Sequence, residues 1–103
     1  MVASVEKIRQ ALEQKDWMLH VEAVDDLVYL IRHPDKISEA DALDLLDRFS
    51  ESSMKSEVKE RLAKSASLLP QRHSARVLAR LQGDSSFAVR QAVRKCKIGR
   101  AHV

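Results

Sequence analysis

Apolar residues recur at helical spacing in six stretches of this 103-residue chain, and short polar or proline-bearing segments separate them. In the first stretch Ser4 stands where an N-cap would, and Val5, Ile8 and Leu12 fall on one face. Asp16 is placed to cap the second. There Trp17, Val21, Val24, Val28 and Ile31 form one stripe, with Leu19, Ala23, Leu27 and Leu30 beside it, and the two merge into an apolar arc about 200° wide. Glu22, Asp25, Asp26, Tyr29 and Arg32 occupy the rest of the circumference. So wide an arc must be covered on two sides, which predicts a helix sandwiched between an earlier and a later element. His33-Pro34 ends it, because the residue before a proline is pushed out of the α region.

Ser38 followed by Asp41 reads as a third helix start, its acidic first turn suiting the helix dipole. Ala42, Leu43, Leu45, Leu46 and Phe49 supply the buried face, and the run Ser50-Glu51-Ser52-Ser53 breaks the pattern. Met54, Val58, Leu62, Ala66 and Leu69 then continue at near-helical spacing up to Pro70. A fifth helix over 71–82 turns Val77, Leu78 and Leu81 inward. Gly83 suits the position after a helix end, and Asp84 or Ser85 the N-cap of a sixth helix with Val89, Ala92, Val93 and Cys96 inward. Only two Gly, two Pro and 4% aromatic residues reinforce the expectation of an all-α fold.

The six segments pair off, each pair a first helix, a turn and a second helix. The second helices carry Leu19-His20-Val21-Glu22-Ala23, Val58-Lys59-Glu60-Arg61-Leu62 and Val89-Arg90-Gln91-Ala92-Val93. Their cationic positions, His20, Lys59 and Arg90, lie 39 and 31 residues apart, an imperfect period of the kind that marks a helical repeat array. The run Asp84 to Val93, DSSFAVRQAV, resembles the HEAT-repeat family, with an Asp in the turn, then Val-Arg, then a small residue; Asp16 to Val24, DWMLHVEAV, is similar, with His20 in place of the Arg. The middle pair departs from the pattern, having Glu51 and a Ser-rich turn where the Asp would be. The resemblance covers residues 4–97 and implies a short right-handed α-solenoid of about three antiparallel helix pairs. It also implies a protein-interaction or regulatory scaffold module, since short HEAT-like arrays precede signalling kinases in some bacterial proteins. Asp16, His20, Asp84 and Arg90 are then repeat-motif residues with structural roles, and His20 a partly buried histidine.

Charge is distributed unevenly. Residues 1–35 hold four Lys+Arg against seven Asp+Glu and residues 36–69 six against seven, whereas residues 70–103 hold eight against one. The row Arg72, Arg76, Arg80, spaced by four, and Arg90, Arg94 and Lys97 along the next helix are candidates for a basic partner-binding strip. The plainer alternative is a set of surface charges whose counter-charges lie on a neighbouring repeat. A nucleic-acid-binding solenoid is the second functional reading, weakened because Phe87 is the only aromatic near the strip and no catalytic carboxylate accompanies it.

No nucleophile stands beside a base, no Gly-rich loop offers a phosphate cradle, and His20, His33 and His73 show no metal-ligand spacing, so no enzyme activity, cofactor or metal is expected. Cys96 reads as a small apolar residue. A single Cys, a charged N-terminal stretch and no apolar run near the roughly 18 residues that span a bilayer point to a cytoplasmic protein that binds no membrane. Residues 98–103, Ile-Gly-Arg-Ala-His-Val, match one reading frame of a common sequencing adapter, which needs a preceding codon ending in AG; Lys97 meets that need. The expectation is a domain over residues 1–97 belonging to a bacterial gene fragment, followed by a non-native tail.

Overall fold

A helix start leaves backbone N–H groups without partners, and each of the first three helices opens on a side chain that takes one up. Ser4 Oγ accepts from Lys7 N at 3.1 Å to begin α1 (Val5–Glu13). Asp16 Oδ1 accepts from Met18 N at 3.0 Å to begin α2 (Trp17–Ile31). Ser38 Oγ accepts from Asp41 N at 3.1 Å to begin α3 (Glu39–Phe49). These are the caps the sequence predicts. The computed structural model describes residues 3–101, with side chains described through position 96. It continues with α4 (Ser56–Ser65), α5 (Gln71–Leu81) and α6 (Phe87–Ala101), plus 3-10 turns at Pro34–Lys36 and Ala66–Leu68. Among the described residues there is no strand. The last helix carries positions 98–101 of the expected tail as helical backbone, and positions 102 and 103 lie outside the described residues.

Three boundaries differ from expectation, each for a local reason. The fourth helix begins only at Ser56, because Met54 N donates to Glu51 O at 3.0 Å and draws Met54 into the turn. It tightens into the 3-10 turn before Pro70, where Leu69 N reaches back to Ala66 O at 3.1 Å. Gly83 does not adopt positive φ. The end of α5 closes instead through Gln82 N to Leu78 O at 2.9 Å and Asp84 N to Leu81 O at 3.1 Å, so no left-handed residue is needed. The last helix starts at Phe87 rather than after Asp84 or Ser85, since Asp84 turns its carboxylate onto Ser86 N at 3.0 Å and Ser86 O accepts from Arg90 N at 3.1 Å.

The second helices of the three pairs, α2, α4 and α6, pack against one another in chain order, α1 lies on α2, and α3 touches α2, α4 and α5. The centre is therefore α4. Its Val58, Leu62 and Ala63, with Ala66 just beyond, are wholly buried, and the two alanines let neighbouring backbones approach closely. A single apolar core runs from Ile8 through Leu27, Leu45, Phe49 and Leu62 to Leu81 and Val93. The predicted sandwiching of α2 holds for its later turns, where Ala23, Val24, Leu27, Val28, Leu30 and Ile31 are buried. Its first turn is different: Trp17, Met18 and Leu19 are 38%, 58% and 38% exposed. Side chains lean toward the N-terminal end of their helix, so those of the first turn overhang the packed layer.

Replacing Leu62 by Ala should cost about 2–5 kcal/mol, and Met18 by Ala less than about 0.5 kcal/mol, measured as shifts of the urea unfolding midpoint at unchanged slope.

Candidate functional site

The fourth residue of each second helix reaches back to the turn that precedes it. His20 Nε2 lies 3.1 Å from Ala11 O and 2.7 Å from Gln14 O; both are acceptors, so Nε2 carries the proton. Lys59 Nζ donates to Ser52 O at 3.3 Å, and Arg90 Nη1 donates to Asp84 O at 2.7 Å. Cationic or N–H-bearing side chains at this position thus close the turn by satisfying carbonyls left free at the end of the first helix or in the loop. His20 is half-buried, in keeping with a structural histidine. It does not pair with Asp16, whose carboxylate caps α2.

Asp16 and Asp84 also stand in different registers. Asp16 is four residues before His20, whereas Asp84 is six before Arg90, the spacing of Gln14 from His20. Only the last turn has a carboxylate at that place, and it is used across pairs. Lys59 Nζ donates to Asp84 Oδ1 at 2.7 Å, with the two side chains 4% and 7% exposed. Burial alone would push the Asp84 carboxyl up; the Lys59 ammonium, the Ser86 N–H and the nearby Arg90 outweigh that and hold it below the usual carboxylate range.

The arginines of α5 turn toward α3. Arg72 grips Glu39 with Nε and Nη2, both at 3.0 Å, and Arg76 grips Asp47 with both contacts at 2.8 Å. Arg80 donates to Ser50 Oγ at 2.7 Å and to Asp47 O at 3.4 Å. Arg9 of α1 meets Asp41 and Asp44 on the same acidic helix, at 3.0 and 3.2 Å. The row Arg72, Arg76, Arg80 is therefore engaged by α3 and its end, with two carboxylates, Glu39 and Asp47, set against three guanidinium groups. Arg90 is bound to the Asp84 carbonyl, with its guanidinium carbon 5.9 Å from the Phe87 ring centre, and Arg94 is exposed with no partner among the described residues. Arg72 first of all holds the Glu39 carboxyl below its ordinary value, and Arg76 does the same for Asp47.

Two features escape the sequence reading. His73 of α5 is buried, its side chain 2% exposed, with Nε2 3.5 Å from Glu39 Oε1 and Nδ1 without a hydrogen-bond partner. Burial pushes its pKa below the ordinary 6.5, against the pull of Glu39. A hint lay in its spacing from Val77, four residues on, which places it on the inward stripe. The second is an open groove of about 440 Å³ between α2 and the Ala66–Leu68 turn, lined by Val28, Tyr29, Arg32, His33, Ser65 and Leu68, and by Asp25, which Arg61 grips at 2.8 and 2.7 Å. Among the described residues no group of three His, Cys, Asp or Glu side chains could hold a metal ion, and no helix is long and apolar enough to cross a membrane. Comparison with protein-family models, curated proteins and solved structures finds no match to the chain.

Removing the Asp84 carboxylate leaves a buried ammonium uncompensated, so Asp84→Ala should destabilise by about 3–5 kcal/mol. The double variant Lys59→Met with Asp84→Asn, which keeps an acceptor for Ser86 N, should recover most of that loss in chemical denaturation. The unfolded chain protonates His73 near pH 6.5 while the buried ring resists the proton, so stability should be fullest above that pH and fall as the pH drops toward the folded-state value. Thermal melts from pH 7.5 to 5 should show this decline, and His73→Leu should flatten it. A further loss is expected below about pH 4, as Glu39, Asp47 and Asp84, all held below their ordinary values, take up protons.

Proposed function

We propose that this chain is a non-catalytic protein-interaction or regulatory scaffold module, built as the beginning of a right-handed HEAT-like α-solenoid of about three helix pairs. The observation that carries the reading is the recurrence of one device in all three pairs: the fourth residue of the second helix closes the preceding turn, and in the middle pair it also reaches the Asp of the next. The packing of α2, α4 and α6 in chain order supports the same view. An array of this kind presents extended surfaces rather than an enclosed reaction site. In this reading the module works in the cytoplasm without a cofactor, attached to further sequence such as a signalling kinase.

The second reading, a nucleic-acid-binding solenoid, needs a free basic strip. Arg72, Arg76 and Arg80 are already engaged by α3, which favours the protein-binding reading.

Two measurements test the proposal. Panning the immobilised chain against displayed twelve-residue peptides should enrich sequences that bind with Kd below about 100 µM; no enrichment would overturn it. In fluorescence anisotropy, duplex DNA should not bind near physiological salt. Binding that falls steeply with salt and vanishes in Arg76→Glu with Arg80→Glu would instead establish the nucleic-acid reading.

A further inference from the structure

The groove beside α2 combines apolar wall, fixed geometry and an uncompensated charge. Tyr29 and Leu68 are 47% and 50% exposed, while Val28 between them is buried at 6% and belongs to the core. Tyr29 is held in place from one side: the His33 ring lies against it with centroids 4.2 Å apart, and His33 Nδ1 donates to Tyr29 O at 2.8 Å. A wall so fixed loses little rotamer freedom when something docks on it.

The polar groups of the groove are unequal. Asp25 is engaged by both nitrogens of the Arg61 fork, and its charge is set against Arg61 rather than Arg32. Most described arginines are engaged, by carboxylates, a hydroxyl or backbone carbonyls. Arg32, by contrast, has no partner among the described residues, and the Tyr29 hydroxyl and His33 Nε2 have none either. The groove therefore offers one cation and an apolar pair on the same lining. Glu22, Asp25 and Asp26 line the earlier turns of the same helix, which disfavours a continuous phosphate backbone and suits a short segment whose negative charge is confined to one end.

We propose that this groove docks a short acidic and apolar peptide segment of a partner protein, with an aliphatic or aromatic side chain between Tyr29 and Leu68 and an Asp or Glu carboxylate on Arg32. The assignment rests on the interaction-module reading and supplies its partner chemistry. Such a contact joins a charge-assisted, bidentate-capable anchor to burial of half-exposed apolar surface, the pairing found at the energetic centre of many interfaces.

Three fluorescein-labelled eight-residue peptides test it against the whole chain at about 0.15 M salt. Each has a Leu-Leu pair in a frame of Ser and Gln and differs at one end only, which carries Asp and Glu, Ser and Gln, or Lys. The acidic peptide should bind about tenfold more tightly than the neutral one, and the basic peptide more weakly still. Arg32→Ala should abolish the preference for the acidic peptide, and Tyr29→Ala with Leu68→Ser should weaken all three. These side chains are at least partly exposed, so thermal melts should show the variants folded like the parent. Equal affinity for the three peptides, acidic binding that survives the groove variants, or no binding up to about 1 mM would overturn the proposal. So would dimerisation of the chain itself in sedimentation, lost on changing Tyr29 and Leu68, or displacement of the acidic peptide by a single-stranded oligonucleotide. If panned peptides bind but ignore the groove variants, the groove assignment falls while the interaction-module reading stands.

Discussion

The Lys59 ammonium ties the middle of the molecule to the turn before the last helix. It lies on the central helix, it is almost wholly buried, and its two hydrogen bonds go to different places: the turn before its own helix and the carboxylate before the last one. A buried ion pair is a weak source of net stability, because desolvation offsets most of the attraction. Its force is directional. Sliding α6 along α4 by one residue, with the turn that precedes it, would part the ammonium from the Asp84 carboxylate and leave it the Ser52 carbonyl alone, so the pair sets the register of the last helix pair on the middle one. Asp84 does this while also accepting from Ser86 N, which couples that register to the start of α6.

Around that buried contact lies a second, looser set of straps on the first helices. The acidic helix α3 stands between Arg9 on one side and Arg72, Arg76 and Arg80 on the other. Each of these pairs is partly exposed, and exposed pairs contribute about 0–1 kcal/mol apiece. Their larger effect is on what the surface offers to others. Two cations of the last third, Arg72 and Arg76, are paired with carboxylates of the preceding third, so the field of α5 that a partner would sense is smaller than its count of arginines suggests. On the interaction-module reading, recognition would fall to the side chains without partners among the described residues, Arg32 among them, and to half-exposed apolar residues such as Tyr29 and Leu68.

The same logic separates His20 from His73. One donates to carbonyls at the end of α1, and the other is enclosed with one ring nitrogen unsatisfied. His20 faces the end of α1, whose last carbonyls need donors. His73 sits on the inward stripe of α5, where its neighbours are apolar side chains and its one polar contact is Glu39 from another helix.

What the sequence by itself determined was whatever acts within about one helical turn. Ser4, Asp16 and Ser38 could be read as caps because the N–H each one accepts from lies two or three residues away. The inward stripes of α3 and α5 could be read because periodicity alone sorts a helix into faces. Gly83 and Asp84 were misread within that same range, since a 3-10 ending and an Asx turn compete closely with a left-handed cap and a direct N-cap. Tertiary structure alone decided the partners of Lys59, Arg61, Arg72 and Arg76, which lie 25 to 36 residues away. It also decided the exposure of Trp17 and the groove beside Tyr29. No local rule reaches so far: which charges meet and which apolar faces stay open follow from which helices become neighbours, and packing of the whole core settles that.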